Sequence, residues 1–86
     1  MMTEELKTKL IQPMHPATMI EINRELASIP EKYQKHFNST HEGFAVLKEE
    51  VDELWDEVKS NAPKDRLREE AIQVAAMVIR FIQELT

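Results

Sequence analysis

Four side chains hold most of the chemistry available to this sequence: Glu50, Glu53, Glu70 and Gln73. They form two pairs of equal three-residue spacing, which on a helix puts both members on neighbouring turns of one face. At about 100° per residue, Glu50 and Glu53 lie at about 300° and 240° from Leu47. Glu70 and Gln73 lie at about 300° and 240° from Leu67. Each pair therefore flanks its own apolar stripe in the same way, and antiparallel packing of the stripes brings all four side chains together beside the seam. Three glutamates in that position repel, and desolvation beside a core adds to the cost. A hard divalent cation removes the conflict, because Mg²⁺ favours carboxylate oxygens and keeps several waters for a substrate; Mn²⁺ suits the same donors. Helix bundles build metal sites from inward carboxylates in this manner. Iron and zinc fit less well, since the chain has no cysteine and no Glu-x-x-His spacing.

Most acidic helix faces are plain solvated surface. The second pair at matching register is what separates Glu50 and Glu53 from that background. Asp52, Asp56, Glu57 and Glu69 are read as solvent-facing. Trp55 shares a stripe with Val51 and Val58, where core packing is commoner than stacking on a base. His36 and His41 are isolated near helix ends and read as surface groups. Tyr33 and Phe37 either cover a ligand or staple a short helix, and the pattern leaves that choice open. Met77 and Arg80 edge the proposed site; subunit contact or solvent is at least as common a role for such residues.

The elements that must position these groups are helical throughout. Thr3 caps a short helix through about Gln12, ended by Pro13 and Pro16, with Glu4 and Glu5 at its positive end. A second stretch runs from Ala17 to about Ser28, with Met19, Ile22, Leu26 and Ile29 at helical spacing. Ser28-Ile29-Pro30-Glu31 reads as a capping box that starts a short helix over residues 32–37. Ser39 with Glu42 makes another, opening a long helix to about Lys59 whose stripe is Phe44, Leu47, Val51, Leu54, Trp55 and Val58. Residues 60–64 break the chain, and Asp65 caps a last helix running to the C-terminus. Leu67, Ala71, Val74, Ala75, Val78, Phe81, Ile82 and Leu85 form its main stripe, while Ile72, Ala76 and Ile79 make a second apolar strip nearly opposite. A helix apolar on two sides must be covered twice, and the second strip is expected to meet another subunit, together with the Met14–Ile29 region.

Composition sets the outer limits. Eighty-six residues make a single domain, 1–86, with short helices over 1–38 and a helical hairpin over 39–86. A chain this short has a modest core. Without cysteine it must gain stability from helix packing, a cation or self-association. One glycine argues against a turn-rich β fold. The net charge of −5 and pI near 5.2 repel polyanions, so no nucleic-acid partner is expected. An acidic protein that handles phosphates needs a divalent cation to offset the same repulsion. The N-terminus carries acids where a signal peptide wants bases, and no apolar run approaches the roughly 18 residues of a membrane span. A cytoplasmic protein with no membrane partner is the expectation.

Beyond these readings there is a resemblance. Glu49-Glu50-Val51-Asp52-Glu53 followed by Glu70-Ala71-Ile72-Gln73 resembles the EExxE…ExxD signature of all-α MazG-like nucleotide pyrophosphohydrolases, with residues 54–69 between the halves. The text from His41 through Trp55 and from Arg68 through Met77 is similar to that family's small phage and bacterial members. The likeness covers roughly residues 40–83. It implies Mg²⁺-dependent hydrolysis of a nucleoside triphosphate to its monophosphate and pyrophosphate, a nucleotide-pool cleansing reaction. Position by position it implies that Glu50, Glu53 and Glu70 ligate metal and that Glu49 orients or activates the attacking water. Gln73 stands where the pattern has Asp; it is neutral, and only its amide oxygen remains as a weak ligand. Arg80, seven residues after Gln73 on the same face, is the candidate for substrate phosphates.

Taken together, the expectation is an all-α protein, two long antiparallel helices plus short N-terminal ones, assembling into a four-helix-bundle-type homo-oligomer, a dimer or a tetramer. Two other functions stay open: a catalytically weak nucleotide- or metal-binding module, and a structural helical oligomer without catalysis.

Overall fold

The computed structural model describes residues 12–28 and 36–86. These form three helices, α1 (Pro16–Ala27), α2 (Thr40–Lys59) and α3 (Lys64–Leu85), with no strand among the described residues. The expected helix over 3–12 lies outside the described residues except Gln12, which is not helical. Most of the expected short helix over 32–37 lies outside them too, and His36 and Phe37 are not helical.

Local chemistry explains each boundary. Pro16 opens α1, at a position where its missing N–H has no helical partner to lose. At the other end the Ser28 hydroxyl donates to the Glu25 carbonyl at 2.8 Å. Ser39, in extended conformation, accepts the Glu42 N–H at 3.1 Å and starts α2 where the capping box predicted. The returning Glu42 carboxylate accepts from the Asn38 side-chain amide at 2.9 Å. Asn61 closes α2 with φ 55°, the Ala62 N–H donating to the Glu57 carbonyl at 3.0 Å and the Asn61 N–H to that of Val58 at 3.1 Å. Asp65 is not the cap of α3. The helix begins one residue earlier behind Pro63, and Asp65 in its first turn accepts the Arg66 N–H at 2.9 Å.

α3 is the central helix, with α2 on one side and α1 on another. Buried Gly43 lets the start of α2 close on the end of α3. A Cβ there would clash with Leu85 Cδ1 and stand 3.1 Å from Phe81 Cδ2 and 3.3 Å from Phe37 Cδ2. The hairpin is thus antiparallel, as the two acid pairs require.

The second strip of α3 does not wait for another subunit. α1 covers it: Ile22 and Ala76 are buried, Ile72 shares one groove with Thr18 and Ile22, and Ile79 shares another with Met19, Ile22 and Leu26. Arg68 fastens the contact through a two-point pair with Glu21, at 2.8 and 3.1 Å, and a 3.3 Å bond to the Thr18 hydroxyl. What stays uncovered is a flank of the main stripe. Phe44 and Trp55 are 59% and 56% exposed, with Val51 and Val58 beside them on α2 and Val78 and Ile82 on α3. The expectation that Trp55 packs in the core of the chain fails here. One partner helix covers only part of so broad a stripe, and α1 does not reach α2.

Candidate metal centre

Glu50 and Glu53 stand one turn apart on α2, and Glu70 faces them from α3. One carboxylate oxygen from each lies within 4.8 Å of the others. The wheel register and the antiparallel hairpin are sufficient to produce this meeting.

Burial makes the cluster unusual. Glu70 is only 5% exposed, the one buried charged residue among those described. Its Oε1 accepts from Arg66 Nη2 at 3.1 Å, while its Oε2 is buried with no hydrogen-bond partner, as is Oε2 of Glu50. Buried polar atoms are nearly always satisfied, and an orphaned carboxylate oxygen is costly. Burial first, then the charges of Glu53, Glu70 and Glu49, hold the Glu50 carboxyl above the ordinary glutamate range. Three hard anionic donors with two unsatisfied oxygens fit a hard divalent cation; nothing in the set favours a soft one.

Arg66 is the residue that sequence reading missed. From the first turn of α3 it reaches Glu57 Oε1 at 3.2 Å, Glu69 Oε2 at 3.4 Å and Glu70 at 3.1 Å. Its place four residues before Glu70 was the available signal. Glu57, expected in solvent, is tied down by this contact, whereas Glu69 is exposed as expected. One oxygen of Glu70 is thereby held, and the other is left without a donor.

The remaining candidates fall beside the cluster. Glu49 is exposed and outside the group of three, acting on Glu50 only as the weakest of the neighbouring charges. Gln73 and Arg80 line a cavity of about 160 Å³ with Glu25, Glu50, Ala76 and Met77. Glu50 belongs to both cavity and cluster, so the two adjoin. Arg80 pairs with Glu84 and lies 4.1 Å over the Phe37 ring. Glu84 also accepts the Phe37 N–H at 3.2 Å and pairs with His36 Nδ1 at 3.1 Å. Burial pushes the Glu84 carboxyl up, but the bonds from Arg80, His36 and Phe37 outweigh it and hold it below the usual range. Phe37 therefore packs against Gly43 and Arg80, and the charge on Arg80 is already balanced. Glu25, given no role by sequence reading, enters the cavity wall from α1.

Comparison with known proteins finds no matching family model, no matching curated protein and no matching solved structure.

Proposed function

We propose that this chain is a Mg²⁺-dependent nucleoside triphosphate pyrophosphohydrolase of the all-α MazG-like type, with Mn²⁺ able to replace Mg²⁺. The overall reaction takes a ribo- or deoxynucleoside triphosphate and water to the monophosphate and pyrophosphate. One observation carries the reading: Glu50, Glu53 and Glu70 each bring a carboxylate oxygen within 4.8 Å of the others, and Glu50 and Glu70 each keep a buried oxygen without a hydrogen-bond partner. Glu50, Glu53 and Glu70 would hold the cation. Arg66 keeps Glu70 oriented by taking its other oxygen. When bound, the cation supplies neutralisation of the triphosphate and a more acidic water. Glu49, exposed beside the cluster, would take the proton of the attacking water. Gln73 contributes a neutral amide oxygen, and Arg80 would meet a phosphate only by sharing its charge with Glu84.

The test is direct. Purified chain is incubated with Mg²⁺ and a panel of nucleotides, and monophosphate and pyrophosphate are quantified. No product from any nucleotide, with Glu50→Gln indistinguishable from the wild type, would sink the proposal.

A specific residue favours a second reading. Gln73 where the motif has Asp supports a binding module that holds nucleotide or metal without turnover, which calorimetry beside the product assay separates. The exposed flank of Phe44, Val51, Trp55 and Val58 supports self-association of two hairpins into a four-helix core, a dimer at least and a tetramer as the larger alternative. Sedimentation reads that directly.

A further inference from the structure

The cavity beside the cluster has the anatomy of a recognition site, with an apolar floor and a few placed polar groups. Ala76 and Met77 supply the floor, and Glu50 joins it to the cluster. Glu25 reaches it from α1 and Gln73 from α3, and neither side chain makes a hydrogen bond or ion pair with a described residue. Arg80, the remaining wall, is committed to Glu84 and Phe37. The available hydrogen-bonding groups are thus a carboxylate that only accepts and a carboxamide that donates through its nitrogen.

Size narrows what fits. At about 160 Å³ the cavity is well below the roughly 300 Å³ at which pockets for whole drug-sized ligands begin. A cavity of about 150 Å³ holds one benzene-sized ring. A triphosphate stays outside, by the carboxylates, and the cavity takes one ring of the ligand.

We infer that Glu25 and Gln73 form the base-recognition edge of this site, selecting a nucleotide whose single-ring base carries an exocyclic amine beside a ring acceptor, as cytosine does. The amine donates to Glu25, and the neighbouring acceptor receives the Gln73 amide. A uracil ring turns a carbonyl toward the Glu25 carboxylate, which then lacks a donor and faces a second acceptor. The inference rests on the nucleotide-handling reading and adds the class of base to it.

Binding of dCMP and dUMP to the full chain is measured by calorimetry with Mg²⁺ present, a readout independent of turnover. The wild type is expected to bind dCMP at least about tenfold tighter, the worth of one charge-assisted hydrogen bond. Glu25→Gln, whose amide can present either its oxygen or its nitrogen, is expected to bring the ratio close to one. Equal binding of the two by the wild type, binding of neither, or a ratio unchanged in a folded Glu25→Gln protein overturns the inference. Pyrophosphate release from dCTP and dUTP with equal kcat/KM also overturns it, while leaving the hydrolase reading intact. A dCMP preference with no pyrophosphate release from any nucleotide supports the recognition edge and removes the hydrolase reading instead.

Discussion

Replacing Glu50 by Gln should make the metal-free protein more stable, the reverse of what most substitutions at a partly buried position do. The carboxylates of Glu50, Glu53 and Glu70 approach within 4.8 Å. At that separation and an effective dielectric of about 20, two unit charges repel by about 3.5 kcal/mol. The exposure of Glu53 and the Arg66 pairing of Glu70 reduce this. A gain of about 1–2 kcal/mol remains, which for a domain of this size is about 5–15 °C in Tm. Saturating cation reverses the order. At a hundred times its Kd a ligand adds about 2.7 kcal/mol to the wild type, and Glu50→Gln should recover only a small part of that. The assay is thermal unfolding followed by circular dichroism, at fixed protein concentration, in chelator and across a Mg²⁺ or Mn²⁺ titration. A Glu50→Gln protein that melts below the wild type in chelator, or that gains as much from Mg²⁺, would refute the electrostatic reasoning and with it the metal site.

The pH dependence of two glutamates should run in opposite directions. The Glu84 pKa is depressed, so its contribution is present above the unfolded value near 4.5 and is lost as pH falls through the folded one; Glu84→Gln should cost about 2 kcal/mol at neutral pH and little in acid, read by denaturant titration at each pH. The Glu50 pKa is raised, so in chelator its stabilising effect is present below about pH 4.5 and fades as pH rises through the folded value. A parallel dependence of the two would contradict the assignment. Gln73→Asp should tighten metal binding by about tenfold or more in calorimetry, because a carboxylate is added to the ligand set; unchanged affinity puts the position outside the donors. Gly43→Leu should lose about 2 kcal/mol or more by chemical denaturation, since even a Cβ there meets Leu85 and Phe81. Trp55→Glu should shift the sedimentation coefficient to that of a single chain, and a wild type already sedimenting as one chain would dismiss the exposed flank as an interface.

Helical periodicity, the Ser39–Glu42 cap and the equal spacing of Glu50/Glu53 and Glu70/Gln73 are local properties, and they were legible in the sequence for that reason. Once two apolar stripes pack antiparallel, geometry alone brings Glu50, Glu53 and Glu70 together. Sequence could not say which neighbour covers which stripe, because that depends on where a short third helix lands. It lands on Ile72, Ala76 and Ile79, which sequence had assigned to another subunit, and it leaves exposed Trp55, which sequence had placed in the core, together with Phe44 on the same stripe. The same landing brings Glu25 to the cavity from far along the chain. Arg66 on Glu70 and Glu84 on Arg80 are likewise choices among several reachable partners, settled by packing. Residue types and spacing determined that three carboxylates converge on a helical seam. Tertiary structure decided how deeply they are buried, which of their oxygens lack a donor, and what shares the space beside them, because desolvation and hydrogen-bond competition exist only after the helices have packed.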